Sequence, residues 1–146
     1  MRTIIAGGRD FDDYTVVKKA IQQAIDQGLE ITEVVSGGAR GVDKLGERWA
    51  KENCIPLKIF PAKWTDLKQE GAVIKTRKNP WTGKIDKYNA NAGFFRNEEM
   101  AVYAEGGALI PIEGGGGTRD MTKKAKAHDI TIYEYEMQDE DYEYKF

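Results

Sequence analysis

Three times in this chain a short, apolar, β-branched run ends in clustered glycines and gives way to helical spacing: "RTIIAG" before "GRDF", "ITEVV" before "SGGARGVD", and "ALIPIE" before "GGGGTRD". A strand that enters a helix through a tight turn cannot pair antiparallel with the next strand by a hairpin. It needs a crossover, and the helix supplies it. Repetition of strand, turn and helix therefore predicts a parallel sheet covered by helices on both faces, with right-handed crossovers.

The remaining periodicity agrees. "DDYTVVKKAIQQAIDQG" carries Val17, Ala20, Ile21, Ala24 and Ile25 at helical spacing and stops at Gly28. The helix after the second strand is expected to place Val42, Leu45 and Trp49 on one face and to end near Asn53. "IPLKIF" reads as a third strand closed by Pro61, "NEEMAVYAEG" as a helix, "ALIPIE" as a strand, "TRDMTKKAKAH" as a helix and "DITIYEY" as a last strand. With 146 residues, 40% of them hydrophobic, the chain suffices for one core, and residues 1–146 are read as a single domain. Two segments break the alternation. Residues 62–95 form a long connection rich in aromatic and basic side chains, including Trp64, Trp81, Tyr88, Lys75, Arg77 and Lys87. Residues 136–146 form an acidic, tyrosine-rich tail that reads as a solvated end.

Composition excludes several classes. A net charge of -2 and a pI near 5.5 argue against the basic surface of a nonspecific nucleic-acid binder, although not against a local patch. Cys54 is the sole cysteine, so no internal disulfide and no cysteine-rich zinc site is expected, and it reads as a small buried residue at a helix end. The opening apolar run is too short for a signal peptide and no segment reaches membrane-span length, which predicts a cytoplasmic protein. His128, the sole histidine, falls at the far end of its helix, away from the glycine turns.

In an open parallel sheet the turns leaving the carboxyl ends of the strands gather at one edge, where ligands bind. Glycine there lets backbone N–H groups approach a ligand with no Cβ in the way, and the following helix offers unpaired donors and a partial positive charge. Such a surface suits phosphate. The spacing is neither the G-x-G-x-x-G of dinucleotide dehydrogenases nor a Walker A loop.

Taken together, "GGRDF", "VSGGARGVD", "PAKW", "GFFRNEEM" and "GGGGTRDM" resemble the SLOG superfamily, the Rossmann-like group that joins the Smf DNA-processing proteins to the Lonely-guy phosphoribohydrolases. The nearest resemblance is to its small stand-alone members, related to YpsA and carried by bacteria and phages. It implies an α/β, three-layer α/β/α fold with a five-stranded parallel sheet in order 3-2-1-4-5. It also implies a pocket for a nucleotide-derived phosphate ligand, either a nucleoside monophosphate or a relative of ADP-ribose and NAD. No further cofactor and no metal is required.

The candidate ligand-binding residues are Gly7, Gly8 and Arg9 in the first turn, and Ser36, Gly37, Gly38, Ala39, Arg40, Gly41 and Asp43 in the second. Lys63 and Trp64 of "PAKW" join them, with Arg96 and Asn97 at a helix start, and Gly114, Gly115, Gly116, Gly117 and Thr118 in the last turn. Arg40 and Arg96 suit phosphate because a guanidinium pairs with it bidentately. Asp43 is expected either to cap its helix or to bind a ribose hydroxyl. The Lonely-guy enzymes use an arginine at a helix start and a glutamate after the last glycine turn. Here the arginine is Arg96, but Met121 stands at the glutamate position. Asp120 is the remaining carboxylate, either catalytic beside Arg96 or a first-turn acid stabilising its helix dipole.

Three functions follow from the resemblance. Binding or sensing of the nucleotide ligand is preferred, because of Met121. Hydrolysis of an N-glycosidic bond by Arg96 and Asp120 is the alternative. Single-stranded DNA binding is the third, suggested by the basic, aromatic connection and opposed by the net acidity. Pairing of copies through helices, giving a homodimer, is one arrangement the resemblance implies.

Overall fold

The structure, a computed structural model, describes residues 1–135, so the acidic tail lies outside the described residues. In chain order the elements are β1 (Arg2–Gly7), α1 (Tyr14–Asp26), β2 (Glu33–Ser36), α2 (Val42–Glu52), β3 (Leu57–Ile59), β4 (Ile74–Lys78), β5 (Ile85–Asn89), α3 (Ala92–Tyr103), β6 (Ala108–Ile112), α4 (Gly116–Ala127) and β7 (Thr131–Ile132). Five strands form a parallel sheet in the order β3-β2-β1-β6-β7, the expected order with two extra strands counted in between.

Side chains alternate across a strand, so neighbouring residues of β1 serve opposite faces. Ile5 packs with Val17 and Ile21 of α1 and Val42 of α2. Ile4 packs with Met100 of α3 and Met121 of α4. Both isoleucines are buried, and this central strand joins the two halves of the core. The result is three layers, α1 and α2 on one face and α3 and α4 on the other.

Helix α2 presents a different face from the one its large apolar residues suggest. Val42, Asp43, Gly46, Glu47 and Ala50 are buried, while Leu45 and Trp49 are only partly buried at the margin. The reason is close approach: a Cβ on Gly46 would lie 3.0 Å from Cβ of Ile5. Bulky side chains do not fit between helix and sheet at that separation, so small residues face the strand.

The connection at 62–95 holds structure of its own. β4 and β5 form an antiparallel hairpin, turned at Asn79, whose Oδ1 accepts the N–H groups of Trp81 (2.8 Å) and Thr82 (3.2 Å). Helix α3 starts at Ala92, within the stretch read as connection. β7 is shorter than "DITIYEY" suggests, pairing only beside Ala108 and Leu109 at the sheet edge. Cys54 is at a helix end but exposed, at φ 54, where the chain turns out of α2 in a left-handed conformation. Among the described residues no helix is long and apolar enough to cross a membrane.

Candidate functional site

Helix α1 begins conventionally, with Asp13 accepting from the amides of Thr15 and Val16. Among the described residues, the starts of α2, α3 and α4 have no side-chain cap. These helices follow the glycine turns or, for α3, the hairpin, and their first turns converge at the carboxyl edge of the sheet. The expected alternative that Asp43 caps α2 is therefore corrected: Gly41 is the N-cap, and Asp43 lies one residue inside the helix. Gly41 takes φ 80, and a Cβ there would run into the Gly8 carbonyl, which also accepts the Val42 N–H at 3.2 Å. The second glycine turn is thus docked directly on the first.

Between these turns is a cavity of about 320 Å³. Gly7, Gly8 and Arg9 line it from the first turn, Gly37, Ala39 and Asp43 from the second, and Arg96 and Asn97 from α3. Gly115, Gly116, Gly117 and Thr118 close it from the last turn, and Ala6, Met100 and Met121 supply apolar surface. Among the described residues, a Cβ on Gly115 or Gly117 would meet nothing within 4 Å, and one on Gly116 only the end of Arg119 at 3.9 Å. These glycines are not there to relieve crowding. Their missing side chains leave the first amides of α4 open, and those amides have no partner within the helix.

The guanidinium of Arg96 is fixed from two sides. Nη1 donates to the Gly37 carbonyl at 2.5 Å and Nε to Oδ1 of Asn97 at 3.1 Å. A Cβ on Gly37 would overlap both Arg96 Nη1 and Asp43 Oδ2, so the absent side chain is what admits this pair. Burial and the nearby positive charge of Arg9 lower the pKa of Arg96, partly offset by Asp43. Removal from water is the larger cause, and an anionic ligand would relieve the repulsion between the guanidinium groups.

Asp43 is 7% exposed, and its pKa is raised from 3.8 to about 6. Burial is the main cause, and Glu47 adds to it. The Ala39 N–H, donating to Oδ2 at 3.2 Å, and the charges of Arg96 and Arg9 act in the opposite direction. Glu47, 4% exposed one turn along, accepts from the Ser36 hydroxyl at 2.7 Å and lies 3.5 Å from Lys44. Sequence reading passed over Glu47. Its signal was available, because Asp43 and Glu47 are four residues apart on the face shared with Val42, Gly46 and Ala50.

Because the folded protein holds the Asp43 proton more tightly than the unfolded chain, ionising Asp43 costs the folded state stability. Below about pH 4 both states are protonated and the penalty vanishes. It grows through the window from about 4 to about 6 and is complete above, on the order of 3 kcal/mol. Asp43→Asn, whose amide oxygen can still accept from Ala39, should therefore raise the melting temperature at pH 8 and give no comparable gain at pH 4. A gain of equal size at both values would show that ionisation is not the cause.

Several expected residues stand elsewhere. Arg40 points into solvent beside Asp10, 3.1 Å away and itself almost fully exposed. With Gly38 and Trp64, Arg40 borders an outer cavity and not the inner one. Ser36 is buried beneath the turn, where its Oγ also accepts the Gly38 N–H at 3.0 Å. Gly114 is packed against the Thr118 side chain, and Lys63 is exposed. Asp120 does not line the cavity. Its Oδ2 accepts from Lys124 Nζ at 2.6 Å and Asn97 Nδ2 at 3.0 Å, and it lies beyond the first turn of α4, which corrects its reading as a first-turn acid. Met121, by contrast, is buried against the cavity. His128 is the C-cap of α4 and contacts Glu98 at 2.8 Å. Among the described residues no group of three or more His, Cys, Asp or Glu side chains is placed to hold a metal ion.

Comparison with known proteins agrees with this architecture. Residues 1–66 match the model of the family described as "YAcAr: YspA, cpYpsA-related SLOG family", a stretch that spans β1 to β3 and the first two glycine turns. The chain is 28% identical over 139 residues to the gene 61 protein of Mycobacterium phage D29, covering 92% of this chain and 95% of that relative. The X-ray structure of DNA processing protein A (DprA) from Streptococcus pneumoniae is similar with a TM-score of 0.64 at 16% identity. That match covers 96% of this chain and 52% of the other, so the chain spans about half the length of that structure, and the likeness is one of fold. The SLOG resemblance and the Rossmann-like architecture are borne out by these matches.

Proposed function

We propose that the protein binds or senses the phosphate of a nucleotide-derived molecule, a nucleoside monophosphate or a relative of ADP-ribose and NAD, in the inner cavity. The observation that carries this reading is the start of α4, built from Gly115, Gly116 and Gly117, where among the described residues no side chain caps the helix and no Cβ position is crowded, sharing one cavity with Arg96. Open amides, a helix dipole and a guanidinium together meet a phosphate's need for several donors at once. Arg9 adds charge at the rim.

Hydrolysis has weaker support, since Asp120 is engaged by Lys124 and Asn97. The carboxylate in the cavity is Asp43, with its raised pKa, and it is the group to substitute if turnover is detected. The test of the binding reading is calorimetric titration with adenosine 5'-monophosphate and adenosine. The monophosphate should bind and the nucleoside should not. Equal affinity for both would contradict a phosphate site.

A further inference from the structure

Beyond the inner cavity the hairpin encloses a second space. The register of β4 on β5 sets Lys75 opposite Tyr88 and Arg77 opposite Asp86, so these four share one face of the ribbon. Ile74, Thr76, Lys78, Ile85, Lys87 and Asn89 share the other. Lys75, Arg77 and Tyr88, with Arg9, Trp64 and Ala90, line a cleft of about 540 Å³.

The cleft is held in place by buried polar contacts at the root of the hairpin. Asn89 is fully buried, donating its side-chain amide to Gln69 Oε1 at 2.8 Å and its backbone N–H to the Trp64 carbonyl at 2.7 Å. The Ala90 N–H donates to Val73 at 2.8 Å. Trp64 lies against the start of α3, where a Cβ on Gly93 would meet its ring at 3.3 Å. Its position is therefore tied to the helix that carries Arg96.

Cleft and inner cavity are neighbours. Arg9 lines both, with its guanidinium 5.7 Å from the centre of the Trp64 ring. A third cavity, of about 410 Å³, shares Gly37, Arg96 and Arg9 with the inner cavity and Arg9 and Trp64 with the cleft, so the three lie side by side. Aromatic faces interleaved with cations suit a second base and a second phosphate, the base stacking on a ring and the phosphate pairing with Arg77, Lys75 or Arg9.

Resting on the nucleotide reading of the inner cavity, we propose that the hairpin cleft is a second ligand compartment and that the natural ligand is a dinucleotide, two nucleoside units joined through phosphate. The inner cavity takes one phosphate, and the cleft takes the distal base and its charge. Residues 62–95 then serve as a specificity element that sets the length of the ligand.

Calorimetric titration of the full chain tests this with four probes: adenosine 5'-monophosphate, NAD as a pyrophosphate-linked dinucleotide, a 5'-phosphorylated 3'-5' adenylyl dinucleotide, and a longer single-stranded oligoadenylate. At least one dinucleotide should bind about tenfold or more tighter than the monophosphate, since stacking of one base contributes on that scale. The tighter of the two identifies the linkage. Arg77→Ser, on an exposed strand, and separately Tyr88→Leu, on the facing strand of the hairpin, should remove that advantage and leave monophosphate affinity unchanged. Equal binding of monophosphate and both dinucleotides, or variants that weaken the monophosphate just as much, would overturn the proposal. Affinity that keeps rising with strand length would overturn it in favour of single-stranded nucleic acid. If the monophosphate does not bind at all, the reading of the inner cavity fails. The cleft then stands only if a dinucleotide still binds and Arg77→Ser abolishes it.

Discussion

Gly116→Val should abolish nucleotide binding and leave the fold intact. Gly116 is the first residue of α4, and a Cβ there would meet no backbone, only the flexible end of Arg119 at 3.9 Å. Valine therefore enters the chain without a clash, and a helical position exchanges the entropic cost of glycine for the smaller one of a β-branched residue. Its methyl groups, however, occupy the space through which the first amides of α4 reach a phosphate. Charge-assisted hydrogen bonds contribute about 1.5–3 kcal/mol each, so obstructing this turn should lower affinity by at least roughly 100-fold at nearly unchanged melting temperature. Gly38 offers no such clean comparison. It takes φ 72, and a Cβ would crowd Ile59 at 3.1 Å, so valine there strains the backbone whatever happens to the ligand.

Arg96→Ala should have the second largest effect, and it should be visible in two observables. Loss of a guanidinium contact to phosphate should weaken binding by roughly 10- to 150-fold. The same substitution removes one of the charges that favour ionised Asp43, so the Asp43 carboxyl should titrate above the value of about 6 that it has beside Arg96. A nuclear magnetic resonance titration of the Asp43 side chain reads the second effect with no ligand present. Arg40→Ala is the contrast. Its side chain is solvated and, among the described residues, paired with exposed Asp10, and surface pairs of this kind contribute little. Its loss should change affinity by less than that of Arg96. Equal losses in the two variants would place the phosphate in the outer cavity.

Much of the fold was legible because its signals are local. Ile4 and Ile5 of β1, the spacing of Val17, Ala20, Ile21 and Ala24 in α1, and the glycines after β1, β2 and β6 each carry their own physical reason, and together they fix a parallel sheet. The hairpin was not legible. "IKTRK" and "IDKYN" lack the apolar alternation of a half-buried strand, because their residues are exposed apart from Tyr88 and Asn89. What holds them is a tertiary contact, buried Asn89 on Gln69 and Trp64, which no periodicity announces.

The site divides in the same way. Glycines and Arg96 could be picked out by type and by their place at strand ends. The direction of a side chain could not. Arg40 and Arg96 look equivalent in sequence, yet one turns to solvent and the other is drawn inward by the Gly37 carbonyl. Asp120 and Asp43 were both candidates, and pairing with Lys124 and Asn97 occupies the first while the second borders the cavity. Glu47 was missed because apolar residues define a helix face by eye, whereas α2 packs against β1 through Gly46 and Ala50 and carries its acids inward with them.

The central claim, that the glycine start of α4 is a phosphate cradle, is tested most directly by amide resonances. In a ¹⁵N–¹H spectrum of the full chain, adenosine 5'-monophosphate should shift the backbone amides of Gly116, Gly117 and Thr118 in a saturable manner, and adenosine at the same concentration should leave them in place. Saturable shifts that appear equally with adenosine, or that fall elsewhere while these three amides stay unmoved, would contradict it.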